Sequence, residues 1–128
     1  MSGNPVAAAA GLATLEILGR PGAYERLFAT GRELMGTLAE LLERSPLTAQ
    51  VVGEPPLFDV VFTGEPVRDY RGTLRGNGDM LRRLNALLRE RGVLKGESKY
   101  YVSLAHTSED IQHTRDAWAS AIEALVAR

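Results

Sequence analysis

Apolar residues between Tyr24 and Arg44 recur every three or four positions, which predicts an amphipathic helix over this range. Its apolar stripe consists of Leu27, Leu34, Leu38, Leu41 and Leu42. The same spacing from Met80 to Arg91 predicts another helix, which Gly92 is suited to end because glycine readily adopts the left-handed C-cap conformation. Each of these helices can bury one face against a common core.

Two further helices are predicted by capping residues. Asn4-Pro5 predicts a helix from about Pro5 to Leu18, because Asn accepts bonds from the first turn and Pro supplies a preset φ. Thr107, followed three positions later by Asp110, has the pattern of a capping box that begins the last helix. Ala7 to Ala10 offer little bulk, so the first helix is suited to close packing against another surface.

Short β-branched and aromatic stretches lie between these helices. Gln50–Gly53 and Leu57–Phe62 predict two strands, and Val93–Leu94 and Tyr100–Leu104 predict two more around a polar turn. Residues 64–78 are rich in glycine and charge and predict a polar loop. The order helix, helix, strand, strand, helix, strand, strand, helix predicts an α+β fold with a small, mostly antiparallel sheet covered by helices.

Composition argues against several classes of function. The formal net charge is -1, so the chain lacks the excess of Lys and Arg that binding to nucleic acid or an anionic membrane requires. It contains no cysteine, which removes disulfides, thiolate catalysis and Cys-based metal sites. The apolar stretch from Val6 to Leu18 is too short for a membrane span and has no basic segment before it. We therefore expect a cytoplasmic protein without a nucleic-acid or membrane partner.

Three stretches follow the order and spacing of a known family. They are Ser2-Gly-Asn-Pro-Val-Ala-Ala-Ala-Ala-Gly-Leu-Ala-Thr-Leu, Phe58-Asp-Val-Val-Phe-Thr and Val102-Ser-Leu-Ala-His-Thr-Ser-Glu-Asp-Ile. The first is the most specific, because Ser-Gly-Asn-Pro before an Ala-rich helix is an unusual combination. Over essentially its full length the chain resembles the C-terminal part of the class III pyridoxal-phosphate-dependent aminotransferases, most closely their glutamate-1-semialdehyde 2,1-aminomutase branch.

The resemblance implies a fold, a cofactor and partners. Residues 21–128 would form the small C-terminal domain of type I fold enzymes, and residues 1–20 a helix linking it to a large domain that this chain lacks. The matching opening in such enzymes follows the cofactor lysine, so Ser2, Gly3 and Asn4 are implied to border pyridoxal phosphate. Free N–H groups and a positive dipole end at Asn4 are a reasonable neighbour for its phosphate. A homodimer and a small amino-acid or amine substrate are implied as well.

One loop departs from the family pattern. The aminomutases carry a Ser-x-Phe-Glu-Ala-Gly-Phe stretch whose glutamate faces the substrate, whereas this chain has Gly96-Glu97-Ser98-Lys99-Tyr100-Tyr101. By this resemblance Glu97 is the approximate counterpart and the candidate substrate-binding residue. Amino-group transfer is therefore the implied activity of the complete enzyme, while glutamate-1-semialdehyde is not fixed as its substrate.

Lys95 and Lys99 are the two lysines of the sequence. Schiff-base chemistry needs a desolvated amine, and both residues lie in a polar turn, where we expect them to be solvated. We therefore assign no catalytic residue. The chain alone is expected neither to bind pyridoxal phosphate nor to be active.

Other polar residues suit structural roles. His106 and His113 lack a third ligand for a metal, so we expect no metal site. His106 is expected to brace the turn before the last helix and His113 to lie on that helix's surface. Arginines from Arg68 to Arg91 suit either a substrate carboxylate or acidic partner, or a mixed solvated face, since acidic residues lie among them.

A function of another class remains open. A truncated gene product could form a non-catalytic domain that self-associates through the Ala-rich helix, because apolar surface without a large domain would need another partner. A partner chain or upstream sequence that carries a lysine favours the enzyme. A complete reading frame from Met1 favours the self-associating domain.

Overall fold

A computed structural model describes residues 3–127 of the chain. In chain order the elements are α1 (Pro5–Leu18), α2 (Ala23–Glu43), β1 (Gln50–Glu54), β2 (Leu57–Val61), α3 (Tyr70–Thr73), α4 (Gly78–Glu90), β3 (Tyr100–Tyr101) and α5 (Ser108–Val126). The three strands of this range form one antiparallel sheet in the order β1, β2, β3. The α+β class predicted from the sequence is confirmed.

The predicted helix ends are confirmed by their hydrogen bonds. The Asn4 side chain accepts bonds from the first turn of α1, and Thr107 and Asp110 form the reciprocal capping box of α5. Gly92 follows α4 with a φ of 79°, which places it in the left-handed region. Val93 then donates its N–H to the Leu88 carbonyl at 2.9 Å, so the end of α4 is closed in the manner of a glycine C-cap.

Three sequence predictions are wrong in detail. The strand predicted over Tyr100–Leu104 ends at Tyr101, because the Ser103 N–H bonds to the His106 ring in the turn before α5. Val93–Leu94 is not a strand, because the Val93 N–H is used by the end of α4 and Leu94 is exposed. The predicted loop over residues 64–78 contains the single helical turn α3. Asp69 caps that turn, since its carboxylate accepts the Gly72 N–H at 2.8 Å.

The centre of the core is an aromatic cluster of Phe58 on β2, Tyr100 on β3 and Trp118 on α5. The Phe58 and Tyr100 rings stack with centroids 5.1 Å apart, and Tyr100 meets Trp118 edge to face at 5.4 Å. Leucines of α2 and α4 surround the cluster. Tyr100 and Trp118 are buried in this cluster, whereas Tyr101, the next residue of β3, is exposed.

Helix α2 lies directly against the turn between β1 and β2. Gly31 is buried there, and a Cβ at this position would collide with the Pro55 carbonyl. Glycine is therefore required by the close approach of two backbones. Gly36, one and a half turns further along α2, is exposed and would meet nothing.

Helix α1 differs from the other long helices because none of its residues is buried. Val6, Leu12 and Leu15 are all at least two-thirds exposed. The helix contacts α2 but leaves most of its apolar surface uncovered. Across residues 3–127, no helix combines the length and hydropathy that crossing a membrane demands.

The contact between Gly31 and Pro55 gives a matched pair of substitutions. We expect Gly31→Ala to lower the free energy of unfolding by ~1–3 kcal/mol, because the added methyl group overpacks a rigid contact. Gly36→Ala should raise it by up to about 1 kcal/mol, since alanine is the better helix former at an exposed site. Urea unfolding of both variants measures this. Equal effects of the two substitutions would contradict the close approach.

Candidate functional site

The loop from Lys95 to Lys99 leads from α4 to β3 and carries the candidate residue Glu97. The loop begins with Lys95, whose side chain is only 1% exposed. The expectation that Lys95 is solvated is therefore wrong. The physical reason is that protein groups replace water around its ammonium group.

Three kinds of partner surround the Lys95 ammonium. Nζ lies 3.0 Å from Asp59 Oδ1 on β2, as an ion pair and not as an aligned hydrogen bond. It donates hydrogen bonds to the Gly96 carbonyl at 3.1 Å and the Glu97 carbonyl at 3.3 Å. It also lies 4.9 Å from the centroid of the Tyr100 ring, within cation-π range.

Asp59 is a site residue that sequence reasoning missed. It lies in Phe58-Asp-Val-Val-Phe-Thr, where an acidic residue interrupts a strand of apolar residues, and it is 6% exposed. A charge in such a strand needs a partner, because an isolated buried carboxylate is very costly. An acidic residue within an apolar strand could have indicated a buried cation, but not that the cation is Lys95.

Tyr100 adjoins this ion pair as a neutral phenol. Burial raises the pKa of Tyr100 well above its usual range; the Trp118 indole lowers it in part, and the Asp59 carboxylate raises it. Neither the Tyr100 hydroxyl nor the Trp118 N–H completes a hydrogen bond with any described residue. The two polar atoms are thus close neighbours in an otherwise apolar cluster.

Glu97 is anchored by its backbone, while its side chain is exposed. Its carbonyl accepts bonds from Lys95 Nζ and, at 3.1 Å, from Asn85 Nδ2 on α4. The carboxylate is thereby presented to solvent from a loop tied to two elements. Such an arrangement can offer a negative charge to a cationic group.

A groove of about 740 Å³ runs beside the end of this loop. Its polar lining includes Asp59, Arg68, Asn77, Ser98 and Lys99. Grooves of this size accommodate small molecules. Arg68 and Lys99 line the groove together with the carboxylates of Asp59 and Asp69, so its charge is mixed. Lys99 is half-buried here, so it too is less solvated than expected.

The start of α1 is a second candidate site, separate from the Lys95–Lys99 loop. Asn4 Oδ1 accepts the N–H groups of Val6 at 3.0 Å and Ala7 at 3.4 Å, and the Asn4 carbonyl accepts that of Ala8. The expectation of free N–H groups in this first turn is therefore wrong, because the helix caps itself. Gly3 has a φ of 87° and lets the chain turn before the cap. Ser2 lies outside the described residues, and no hydrogen bond links Gly3 or Asn4 to Glu97.

The remaining polar candidates have structural roles. His106 Nδ1 accepts the Ser103 N–H at 3.2 Å, which confirms its predicted part in the turn before α5, and His113 is exposed. Within the described range, no group of three His, Asp or Glu side chains could hold a metal ion. Arg75 pairs with Glu65 and Arg82 with Asp79 on the surface, as expected of a mixed solvated face.

The sequence is similar to curated enzymes over almost its whole length. It is 35% identical over 127 residues to the glutamate-1-semialdehyde 2,1-aminomutase of Methanopyrus kandleri and 34% identical over 128 residues to that of Opitutus terrae. These matches cover 97% and 98% of this chain. The predicted resemblance to the C-terminal part of the glutamate-1-semialdehyde aminomutases is confirmed. No protein-family model matches the chain.

The aminomutase-like chain spans about 30% of the length of these curated relatives. Its fold recurs within solved transaminases. An omega-transaminase from Sphaerobacter thermophilus superposes with a TM-score of 0.84 at 25% identity, covering 96% of this chain and 28% of the transaminase. A transaminase with PLP bound gives 0.79 at 26% identity, covering 97% and 28%. The fold belongs with transaminases on both comparisons.

The unpartnered hydroxyl of Tyr100 leads to a stability prediction for the aminomutase-like chain. We expect Tyr100→Phe to raise the free energy of unfolding by about 1 kcal/mol, because a buried hydroxyl without a bond is removed from the cluster. Tyr101→Phe is the matched control on the exposed face of β3 and should change it by less than about 0.5 kcal/mol. Thermal and urea unfolding measure both. A clear loss of stability in Tyr100→Phe would show that the hydroxyl has a partner.

Proposed function

We propose that the chain forms the small C-terminal domain of a class III pyridoxal-phosphate-dependent aminotransferase or aminomutase. The observation that carries this proposal is that nearly the whole chain matches aminomutases, while its fold superposes on transaminases. In the complete enzyme the activity is amino-group transfer. The loop around Glu97 differs from the aminomutase pattern, so the proposed substrate is a small amino acid or amine in general.

The proposed division of the chain places residues 1–20 as a link to a large domain and residues 21–128 as the small domain. The core is built from α2 onward, whereas α1 buries none of its residues. The exposed Val6, Leu12 and Leu15 supply an apolar surface suited to a larger partner. In this proposal the large domain covers α1.

The described residues do not make a complete pyridoxal phosphate site. Such a site requires a lysine amine free to form an imine with the cofactor. Lys95 Nζ is enclosed and paired with Asp59, and Lys99 is the only other lysine in the sequence. We therefore propose that the cofactor lysine belongs to the large domain and that this chain alone is inactive.

Within that enzyme, we propose that Ser2, Gly3 and Asn4 border the cofactor. Because Asn4 Oδ1 is used in capping α1, the contribution of Asn4 would come from its amide nitrogen. Glu97 is proposed to face the substrate, where its exposed carboxylate suits a cationic amine. A homodimer and a cytoplasmic location complete the proposal and rest on the resemblance.

A second candidate function is a non-catalytic domain that associates with itself through α1. The uncovered apolar side chains of that helix support it. In that case the free chain would be a dimer or larger assembly, and α1 would lie at its interface. In the enzyme the large domain covers α1, whereas in the second function another copy of this chain covers it.

A chimera tests the enzyme proposal. The segment of the Methanopyrus kandleri aminomutase that matches this chain is replaced by the chain itself. We expect the chimera to bind pyridoxal phosphate and to transfer amino groups from small donors, because the missing large domain is then supplied. Absorbance of the bound cofactor and amino-acid product are measured, and the free chain is expected to show neither.

Two variants of the chimera sharpen the result. Glu97→Gln should lower kcat/KM by about tenfold or more while cofactor binding is kept, since a charge facing the substrate is lost. Glu123→Gln on the exposed side of α5 is the matched control and should have no effect. A folded chimera that binds the cofactor without any amino transfer would contradict the proposed function.

A further inference from the structure

The ion pair of Lys95 and Asp59 lies inside the domain, not on its surface. The side chain of Lys95 is 1% exposed and that of Asp59 is 9% exposed. Removing two charges from water is costly, and the attraction between them often only offsets that cost. A buried pair of this kind therefore adds little to the free energy of unfolding. Its main effect is expected on the conformation of the chain around it.

The pair determines how the chain runs between α4 and β3. From the backbone of this loop Lys95 reaches across to Asp59 on β2, and its remaining donors turn back to the Gly96 and Glu97 carbonyls. Asn85 on α4 holds the same Glu97 carbonyl at 3.1 Å. The peptide at Glu97 is consequently fixed from two directions by side chains.

The alternative role of Lys95 as a reactive amine does not fit its surroundings. Its ammonium group is enclosed by Asp59, two carbonyls and the face of the Tyr100 ring. Because the side chain is only 1% exposed, these partners leave no open approach by which a cofactor aldehyde could reach Nζ. Lys99 follows in the same loop and takes part in no ion pair with a described residue. The two lysines of the chain therefore differ in that only Lys95 is held by a buried carboxylate.

We propose that Lys95 is a positioning residue, which with Asp59 holds the Gly96–Ser98 loop so that the Glu97 carboxylate projects from a fixed backbone. For its effect on substrate the inference rests on the proposed function; for the order of the loop it stands on the contacts alone. Holding a charged group in one place favours binding, because less conformational freedom is lost when the substrate arrives.

Backbone ¹⁵N relaxation of the 128-residue chain tests this positioning. We expect order parameters of the Gly96 and Glu97 amides to be near 0.85, the value typical of a rigid backbone, and to fall below about 0.6 in Lys95→Met. Lys99→Met is the matched control, because it removes a lysine of the same loop that is not ion-paired, and the loop should stay rigid. Amides of α5 should be unaffected in both variants.

The unpaired Asp59 left by Lys95→Met could unfold the chain, so a second variant removes both charges. Asp59→Leu combined with Lys95→Met is expected to fold, because apolar pairs commonly replace buried ion pairs, and to keep the loop mobile. A rigid loop in either folded variant would overturn the proposal.

A kinetic measurement in the chimera separates this inference from the proposed function. There the double variant should raise KM for the amine donor by about tenfold, with a smaller change in kcat, since Glu97 is misplaced but not removed. A mobile loop in a chimera without activity would refute the proposed function and leave the loop result intact. Unchanged KM in an active chimera whose loop is mobile would overturn the link to substrate.

Discussion

The packing of Tyr100 between Phe58 and Trp118 joins the sheet to the last helix at the centre of the described core. Phe58 belongs to the β-hairpin, Tyr100 to the short third strand and Trp118 to the last helix, and the three rings meet within 6.3 Å of one another. β3 is only two residues long, so its place depends on this side-chain contact more than on its few backbone bonds. The loop that carries Glu97 ends at Tyr100 and takes its position from there.

The same cluster provides the setting for the buried charge pair. The Tyr100 ring faces the Lys95 ammonium, and the Asp59 carboxylate follows Phe58 on β2. Apolar packing and ion pairing therefore act on one loop from adjacent sides. In the proposed enzyme this couples the stability of the small domain to the position of a substrate-facing carboxylate.

Features set by near neighbours in sequence could be predicted, and those set by distant ones could not. The caps at Asn4 and Thr107 bond within three residues, so their pattern is legible in the sequence. The burial of Lys95 depends on Asp59, a distant residue on another element, and a polar turn gave no sign of it. Val93 and Leu94 are apolar residues suited to a strand, but the Val93 N–H donates to the Leu88 carbonyl at the end of α4 and so cannot pair with a strand. The candidate site itself came from resemblance, and its geometry came from the structure.

Helix α1 is the element whose stability depends most directly on a neighbouring domain. It is apolar, is capped at its start and leaves most of its surface uncovered. A free helix of this length is only marginally stable, whereas a neighbouring domain would hold it. The direct measurement is amide hydrogen exchange of α1 in the free chain and in the chimera with the aminomutase large domain. We expect rapid exchange in the free monomer and strong protection in the chimera. Protection in the free monomer, or continued rapid exchange in a folded chimera, would contradict the assignment of α1 as the link between two domains.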